Sequence, residues 1–585
     1  MAPKRSGVFL QNACLQHRYI RDQDLSNVVE RPERLRAVNI GLAAAIAHLE
    51  ELLEDTATPN GSATAEYSTD ETDLAAALGK MKLESADGAG GSTSSKIPIV
   101  QSQATVDLLN NAAVKFIHGD IDGDVYLGTL KKWAKESTDK IAQGGSEIPE
   151  GYSQGDLYRS IAAIQGALGT TCEAVDAVIG ASRGEGKQED QIHRAFVAVR
   201  PPGHHCGEDT PSGFCFVNNV AVAAAHAHLK HGINRVVIFD IDLHHGNGTQ
   251  SIVWQINEET YRQKLEQEAG APNVKPGAQV FYGSIHDILS YPCEDGKPEL
   301  VQAASVSLHH AHGQFIENIH LQTYTSEEHF WSELYAKRYI QVIRKAEEFL
   351  DATGGPGDDV MVFISCGMDA CEHEYESMSR HNRKVPTGYY YQFARDTSVL
   401  SDKYAKGRLV SVLEGGYSDR ALISGAMAHL AGLTDLPEGK QVDKAIWDLG
   451  NLVELEKATK KRRGGRPSLP APGSTRQWIE RTLSILAPLD TSAASILSSA
   501  RSAPPMSMTL RDRSKAKSAT STPTRGVSPA PASAKQKPKG RKSVGTPSTE
   551  KPPVGSSTSS SDDDGSGATQ DKVKVKRVIL KLSQS

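Results

Sequence analysis

Apolar runs of strand length recur through the middle of the chain, at 195–199 (AFVAV), 236–239 (VVIF), 280–282 (VFY), 360–364 (VMVFI) and 409–413 (LVSVL). Longer stretches of helical character, such as 157–179 and 332–350, separate them. Strands that are apolar throughout, joined by helical crossovers, predict a mostly parallel sheet covered on both faces, an α/β fold. Each run ends in a cluster of polar or glycine residues, in turn RPPGHHC, DIDLHHGNG, GSIHD, SCGMDAC and EGGYSD. The carboxyl ends of the strands in such a sheet share one edge, where ligands bind, so five loops from distant sequence are expected to converge on one crevice.

Two segments lack the apolar content to offset the entropy of ordering them. One runs from about 56 to 95 and is rich in Ala, Gly, Ser, Thr and acids; the other starts near 457 and is dominated by Ser, Pro, Thr, Lys and Gly. The pattern therefore divides the chain into a folded domain over 1–450, with a disordered insertion at about 56–95, and a low-complexity basic tail over 451–585, mostly disordered. Within the tail, 477–497 has the spacing of a short amphipathic helix broken at Pro488.

The overall composition, 585 residues with 38% hydrophobic, 6% aromatic and 23% charged, excludes collagenous, membrane-spanning and disulfide-scaffold classes. The start Met1-Ala-Pro-Lys-Arg5 lacks the apolar stretch of a secretory signal, and the seven cysteines include no Cys-x-x-Cys pair, so a reducing compartment is expected. The net charge of −6 conceals a split: 451–585 holds 25 Lys and Arg against 10 Asp and Glu, a charge of +15, which leaves −21 on 1–450. An acidic body with a basic arm suits an anionic partner or an import receptor, and Lys460-Lys461-Arg462-Arg463 has the makeup of an import signal. Without interleaved aromatics, direct nucleic-acid binding by the arm is expected to be weak or absent.

Candidate chemistry sits at the strand ends. Asp242 and His244, two apart in extended backbone, point the same way, and Asp369 ends a separate strand; two carboxylates and one imidazole neutralise a divalent ion and leave a coordination position open. An isolated Asp-x-His serves equally well to cap a turn through Asp240 and Asp242; the third acid favours a metal. The pair His204-His205 has Asp240 and Asn247 on a neighbouring strand end as partners that can fix each ring's tautomer and basicity. In Glu414-Gly-Gly-Tyr417, glycines permit close approach and the phenol can donate to a developing oxyanion, although a plain turn has the same composition. Ser212-Gly213-Phe214-Cys215-Phe216 reads either as an aromatic wall or as core. His226, His228 and His231 read as a helical face, and His309, His310 and His312 lack the accompanying acids of a ligand set.

Taken in order, RPPGHHC, SGFCFVNN, FDIDLHHGNGTQ, SIH, CGMDA and LEGGY resemble the zinc-dependent histone deacetylase family, with wording similar to its class II side and HGQFIENIHL similar to a fungal branch. The resemblance runs from about Glu30 to Asp435. It implies an arginase/deacetylase-like three-layer α/β/α domain that hydrolyses the acetyl amide of Nε-acetyl-lysine in histones or other proteins. It places Asp242, His244 and Asp369 as ligands of one Zn2+, His205 as general base beside His204, and Tyr417 as the group that polarises the carbonyl. Gly213, Phe214 and Tyr291 fall on the substrate tunnel, Asp240 and Ser284 on a structural K+ site, and Arg34 near the inner cavity. Acetylated histone tails, a corepressor complex and a nuclear location are what the family implies, the cytoplasm being a second location; acetylpolyamine or non-histone substrates, or a non-catalytic acyl-lysine scaffold, are the competing readings. The chain departs from class I members at Asn247, where they carry Asp, and class II relatives share the change. Glu147 and Glu150 stand equally for a rim acid, and 371–384 is unusual for the loop after the third ligand.

Overall fold

The computed structural model describes residues 4–18, 28–53, 96–119, 125–144, 160–272, 275–460 and 476–490. The expected insertion at 56–95, Glu147, Glu150, the basic residues beyond Lys460 and the tail beyond 490 lie outside them. Among the described residues, nine strands form one sheet: β1 (Ser6–Gln11), β2 (Ile99–Ser102), β3 (Arg194–Ala198), β4 (Arg235–Asp240), β5 (Gln279–His286), β6 (Ser307–His309), β7 (Phe315–His320), β8 (Val360–Cys366) and β9 (Leu409–Leu413). Their order is β2-β1-β3-β9-β8-β4-β5-β7-β6, and every pairing is parallel except β6 with β7.

The five central strands coincide with the five apolar runs, and β3, β4, β8 and β9 are buried along their whole length. Strands buried on both faces need helices on both, and the contacts supply them. Helices Ser160–Ser182 and Asn219–His231 pack against each other and the sheet, while Gly388–Tyr404 and Asp419–Leu433 do so separately, joined there by Glu33–Leu53. The chain is thus an α/β fold with a mostly parallel sheet. Registers Asp240↔Ser365, Asp240↔Ser284 and Cys366↔Leu413 bring the ends of β4, β5, β8 and β9 level, so the loops that follow them leave at one edge.

Two of the helices that leave that edge, those after β3 and β9, start on side-chain caps. Asn218 Oδ1 accepts from Ala221 N–H, and Ser418 Oγ from Ala421 N–H, satisfying donors that the first helical turn cannot pair. The expected helix over 332–350 is instead a π-helical segment, Phe330–Tyr339, followed by an α-helix, Gln341–Ala352.

The folded unit continues past residue 450. Helices Leu449–Thr459 and Gln477–Leu486 pack on the body, and a 3-10 turn, Ala487–Leu489, carries Pro488. Helix Glu33–Leu53 is buried nearly all round because Asp419–Leu433 and Gln477–Leu486 both lie against it. Trp478 stacks on His48 with ring centroids 4.8 Å apart, Asn39 donates to the Leu489 carbonyl, and Arg36 pairs with Asp490 at 3.0 Å. Among the described residues, no helix is long and apolar enough to cross a membrane, and all seven cysteines are free and buried.

Truncating Trp478 to Ala removes a large buried side chain and is expected to cost about 3 kcal/mol of stability. Urea melts of wild type and Trp478→Ala measure it, and an unchanged midpoint would show that Gln477–Leu486 adds nothing to the body.

Candidate active site

The loops after β4 and β8 hold three donors close together. Nδ1 of His244 lies 3.1 Å from Oδ1 of Asp242 and 3.0 Å from Oδ2 of Asp369. The remaining carboxylate oxygens are held by the backbone: Asp242 Oδ2 accepts from Gly415 N–H at 2.8 Å, and Asp369 Oδ1 from Leu243 N–H at 2.9 Å. Both carboxylates are fully buried. Each therefore has one oxygen anchored and one turned toward His244.

This set fits a divalent cation. Spacings near 3 Å match neighbouring tetrahedral donors around a zinc-sized ion with bonds of about 2.0–2.1 Å. The local field draws positive charge. Burial opposes charge on His244, yet its hydrogen bonds to Asp242 and Asp369 push its imidazole up to about 10. For Asp369, burial and the neighbouring Asp242 charge raise the carboxyl; burial acts the same way on Asp242, but His204 and His244 hold it below the usual range. A metal ion would satisfy both acids at once.

The histidine pair follows β3. His204 Nδ1 is 3.1 Å from Asp240 Oδ2, and its Nε2 is 3.8 Å from Asp242 Oδ1. Against burial, Asp242 and Asp240 push His204 up to about 10. His205 Nδ1 donates to Asn247 Oδ1 at 2.8 Å, which leaves the lone pair on Nε2. Burial, then the charges of His204 and His244, hold His205 well below its usual value, so its ring is neutral and able to accept a proton.

Tyr417 leaves the end of β9 and is buried. Burial and the Asp369 charge raise its phenol well above the usual value, which keeps the hydroxyl protonated as a donor. The Arg34 guanidinium lies 5.1 Å from its ring centroid, and Phe214 makes an edge contact with centroids 6.1 Å apart. On the other side, Tyr291 stands edge-on to His205 at 4.8 Å, its hydroxyl paired with Ser212. Gly213 has φ +49°, and a Cβ there would fall 2.2 Å from Cδ2 of His205, so only glycine lets this wall approach the imidazole. Phe214 itself has φ +69°, a left-handed conformation that sets its ring against Tyr417.

All the residues singled out in the sequence for the central site thus meet at one edge of the sheet. Asp240 and Ser284 occupy paired positions on β4 and β5; Asp240 accepts from the Asp242 backbone and Tyr282, while Ser284 Oγ pairs with His286 Nδ1. Sequence reasoning did not foresee three acids that hold the loops. Glu414 Oε2 accepts from the N–H groups of Gly203 and His204, at 2.7 and 3.2 Å. Glu374, from the unusual 371–384 loop, accepts from Tyr417 N–H at 2.7 Å and Ser418 N–H at 2.8 Å. Glu30 pairs with Arg200 and, at 2.9 Å, with Arg34, whose Nε donates to the Gly416 carbonyl at 2.6 Å. The resemblance pointed to Arg34, and Glu414 stands in the Glu414-Gly-Gly-Tyr417 motif without this role being visible there; no local pattern flags Glu374.

The family model of the histone deacetylase domain matches residues 101–433, more than half of the chain. The chain belongs to the histone deacetylase family. Histone deacetylase HOS3 of Saccharomyces cerevisiae is 38% identical over 329 residues, covering 54% of this chain and 46% of that protein. Type-2 histone deacetylase 2 of Dictyostelium discoideum is 31% identical over 271 residues, covering 44% of this chain and 13% of its own length. The histone deacetylase-like amidohydrolase of Pseudomonas aeruginosa is 35% identical over 322 residues, 53% of this chain and 66% of that protein. The chain therefore spans less than half the length of the first two. Membership bears out the resemblance read from the six ordered motifs, and the family is one of metal-dependent hydrolases.

A methyl group on Gly415 would lie 2.5 Å from Oδ2 of both Asp242 and Asp369. Gly415→Ala should therefore displace these carboxylates and weaken the binding of an added divalent cation at least tenfold while leaving the far-UV circular dichroism unchanged. Competition with a chromophoric chelator reads the affinity.

Proposed function

We propose that this chain is a zinc-dependent protein lysine deacetylase that hydrolyses the acetyl amide of Nε-acetyl-lysine in histones or other proteins and releases acetate. The observation that supports it most directly is the convergence of Asp242, His244 and Asp369 beside a histidine with a free Nε2 lone pair and a buried, protonated phenol. Asp242, His244 and Asp369 would hold the Zn2+. When bound, the ion supplies a Lewis acid toward the amide carbonyl and lowers the pKa of a water molecule.

The chain's own groups do the rest. His205 Nε2 accepts a proton from the attacking water, oriented by its Nδ1–H bond to Asn247. The Tyr417 hydroxyl donates to the carbonyl oxygen as negative charge gathers there. The proton taken up by histidine passes to the lysine amine as the C–N bond breaks, and acetate and a free amine result. Phe214 and Tyr291, with Gly213 between the first of them and His205, line the passage for the lysine alkyl chain and keep water from it. Asp240 serves twice, as the partner of His204 Nδ1 and, with Ser284, as a supplier of oxygens to a structural K+.

Its partners in this reading are acetylated histone tails or other acetyl-lysine proteins, met in the nucleus within a corepressor complex, with import through Lys460–Arg463. The basic charge of 451–585 supports that placement.

Replacing the phenol tests the reading. Tyr417→Phe should lower kcat on an acetyl-lysine histone peptide by about 10²–10³, with zinc content and thermal midpoint unchanged. Acetate release equal to wild type would remove the oxyanion role, and turnover of acetylspermidine but not of acetyl peptide would move the substrate class. Asn247→Asp places a carboxylate on His205 Nδ1, which favours the charged ring and raises its pKa. The acid limb of the kcat/KM profile should then move to higher pH by about one unit, and a fixed limb would show that another group limits the rate.

A further inference from the structure

Helix Asn219–His231 carries three histidines that read in the sequence as a helical face, but the fold lays it along Ser160–Ser182, which supplies an acid. Oδ1 of Asp176 lies 2.8 Å from Nε2 of His226 and 2.6 Å from Nε2 of His231. The two rings are 5.8 Å apart between centroids and inclined at 72°. Lys230 reaches Oδ2 of the same carboxylate at 2.8 Å, and Arg183 donates to the His231 carbonyl at 2.9 Å. The imidazoles are mostly covered, 15% and 14% exposed, while Asp176 is 36% exposed, so the group is open on one side.

We propose that Asp176, His226 and His231 form a second site for a divalent transition metal of the zinc class, bridging these two helices. Their donor atoms all lie within 4.8 Å of one another. Tetrahedral bonds of about 2.0–2.1 Å put neighbouring donors roughly 3.3 Å apart, so the Nε2 atoms of His226 and His231 move outward from the carboxylate oxygen by about 0.5 and 0.7 Å. Each ring binds as the neutral imidazole, its one proton on Nδ1 and its Nε2 lone pair on the ion, and the ammonium of Lys230, itself 54% exposed, swings away from Oδ2. Water fills the remaining positions. Two imidazoles and one carboxylate favour Zn2+, Ni2+ or Cu2+ over Mg2+ or Ca2+. They leave a charge of +1 on the complex, where the interior set of two acids leaves none, so this site binds more weakly and exchanges freely. The helix begins beside the 212–216 wall and ends before β4 starts, which places the site at the sheet edge opposite the candidate active site.

Equilibrium dialysis of the full chain against micromolar Zn2+ tests the assignment. Wild type should retain one equivalent more than His226→Asn/His231→Asn; the Asp242, His244 and Asp369 set is common to both, so it cancels and its own occupancy does not affect the result. His231→Gln, at the helix end, provides the same comparison should the double variant not fold. Lys230→Ala removes the competing ammonium and should tighten the extra equivalent at least threefold, and excess Mg2+ should not displace it. Equal zinc in wild type and the histidine variants, or no change in Lys230→Ala, overturns the proposal.

Discussion

The site depends on burying several negative charges at one sheet edge. Asp240, Asp242, Asp369 and Glu414 are all wholly inaccessible. Moving a carboxylate out of water costs several kcal/mol unless charge-assisted hydrogen bonds or an opposite charge offset it. Here the offset comes first from the imidazoles of His204 and His244 and then from backbone N–H groups, most of them in other loops. The β9 loop's Glu414 holds the β3 loop at Gly203 and His204; the β4 loop's Asp242 holds the β9 loop at Gly415; the β8 loop's Asp369 holds the β4 loop at Leu243; Glu374, also after β8, holds Tyr417 and Ser418. Each acid that brings charge also fixes a neighbour that brings chemistry. Charge at the centre and rigidity at its edge are one requirement.

Magnitudes separate this network from the protein's other ion pairs. An exposed pair on a helix, such as Lys337 with Glu333, contributes a few tenths of a kcal/mol at most. Glu30, Arg34 and Arg200 are buried, and removing one partner there costs about 3–5 kcal/mol because it strands the others. Arg200 also donates to the carbonyls of Cys14 and His17, and Arg34 to those of Glu414 and Gly416. Both guanidiniums spend their remaining donors on loop carbonyls that have no strand partner. Positive charge beneath the site thus serves backbone geometry as much as charge balance.

The sequence pattern made the centre legible and the periphery obscure, for physical reasons. A central parallel strand is buried on both faces and must be apolar throughout, so β3, β4, β8 and β9 announce themselves. Edge and outer strands need no such run: β2 is only partly buried, and β6 is three residues long. β1 is fully buried, but its ends Ser6 and Gln11 are polar and hydrogen-bonded to the Leu433 and Ala104 carbonyls, which hides it from a hydropathy reading. Asp242 and His244 were legible because their spacing at one strand end is local, and Asp369 because it too follows an apolar strand. Glu374 was not, because its role exists only when a loop from one strand folds across another. Asp176 was missed for the same reason: His226 and His231 look like a solvated face until a second helix is laid beside them.

The same logic explains why the body extends beyond residue 450. Helix Glu33–Leu53 bears Arg34 in its first turn, and that side chain reaches the Glu414 and Gly416 carbonyls on either side of Gly415. The position of the guanidinium is therefore set by how the helix lies. Where Gly41 faces Ile423, a Cβ would stand 2.3 Å from the Ile423 carbonyl, so the approach to Asp419–Leu433 is as close as backbones allow on that side. Elsewhere along the helix, Asn39, His48 and Glu50 meet Leu489, Trp478 and Arg481. Without that cover, the flank would expose apolar surface between polar residues. Gln477–Leu486 completes the surroundings of a helix whose first turn braces the Tyr417 loop, so it belongs to the body that carries the site.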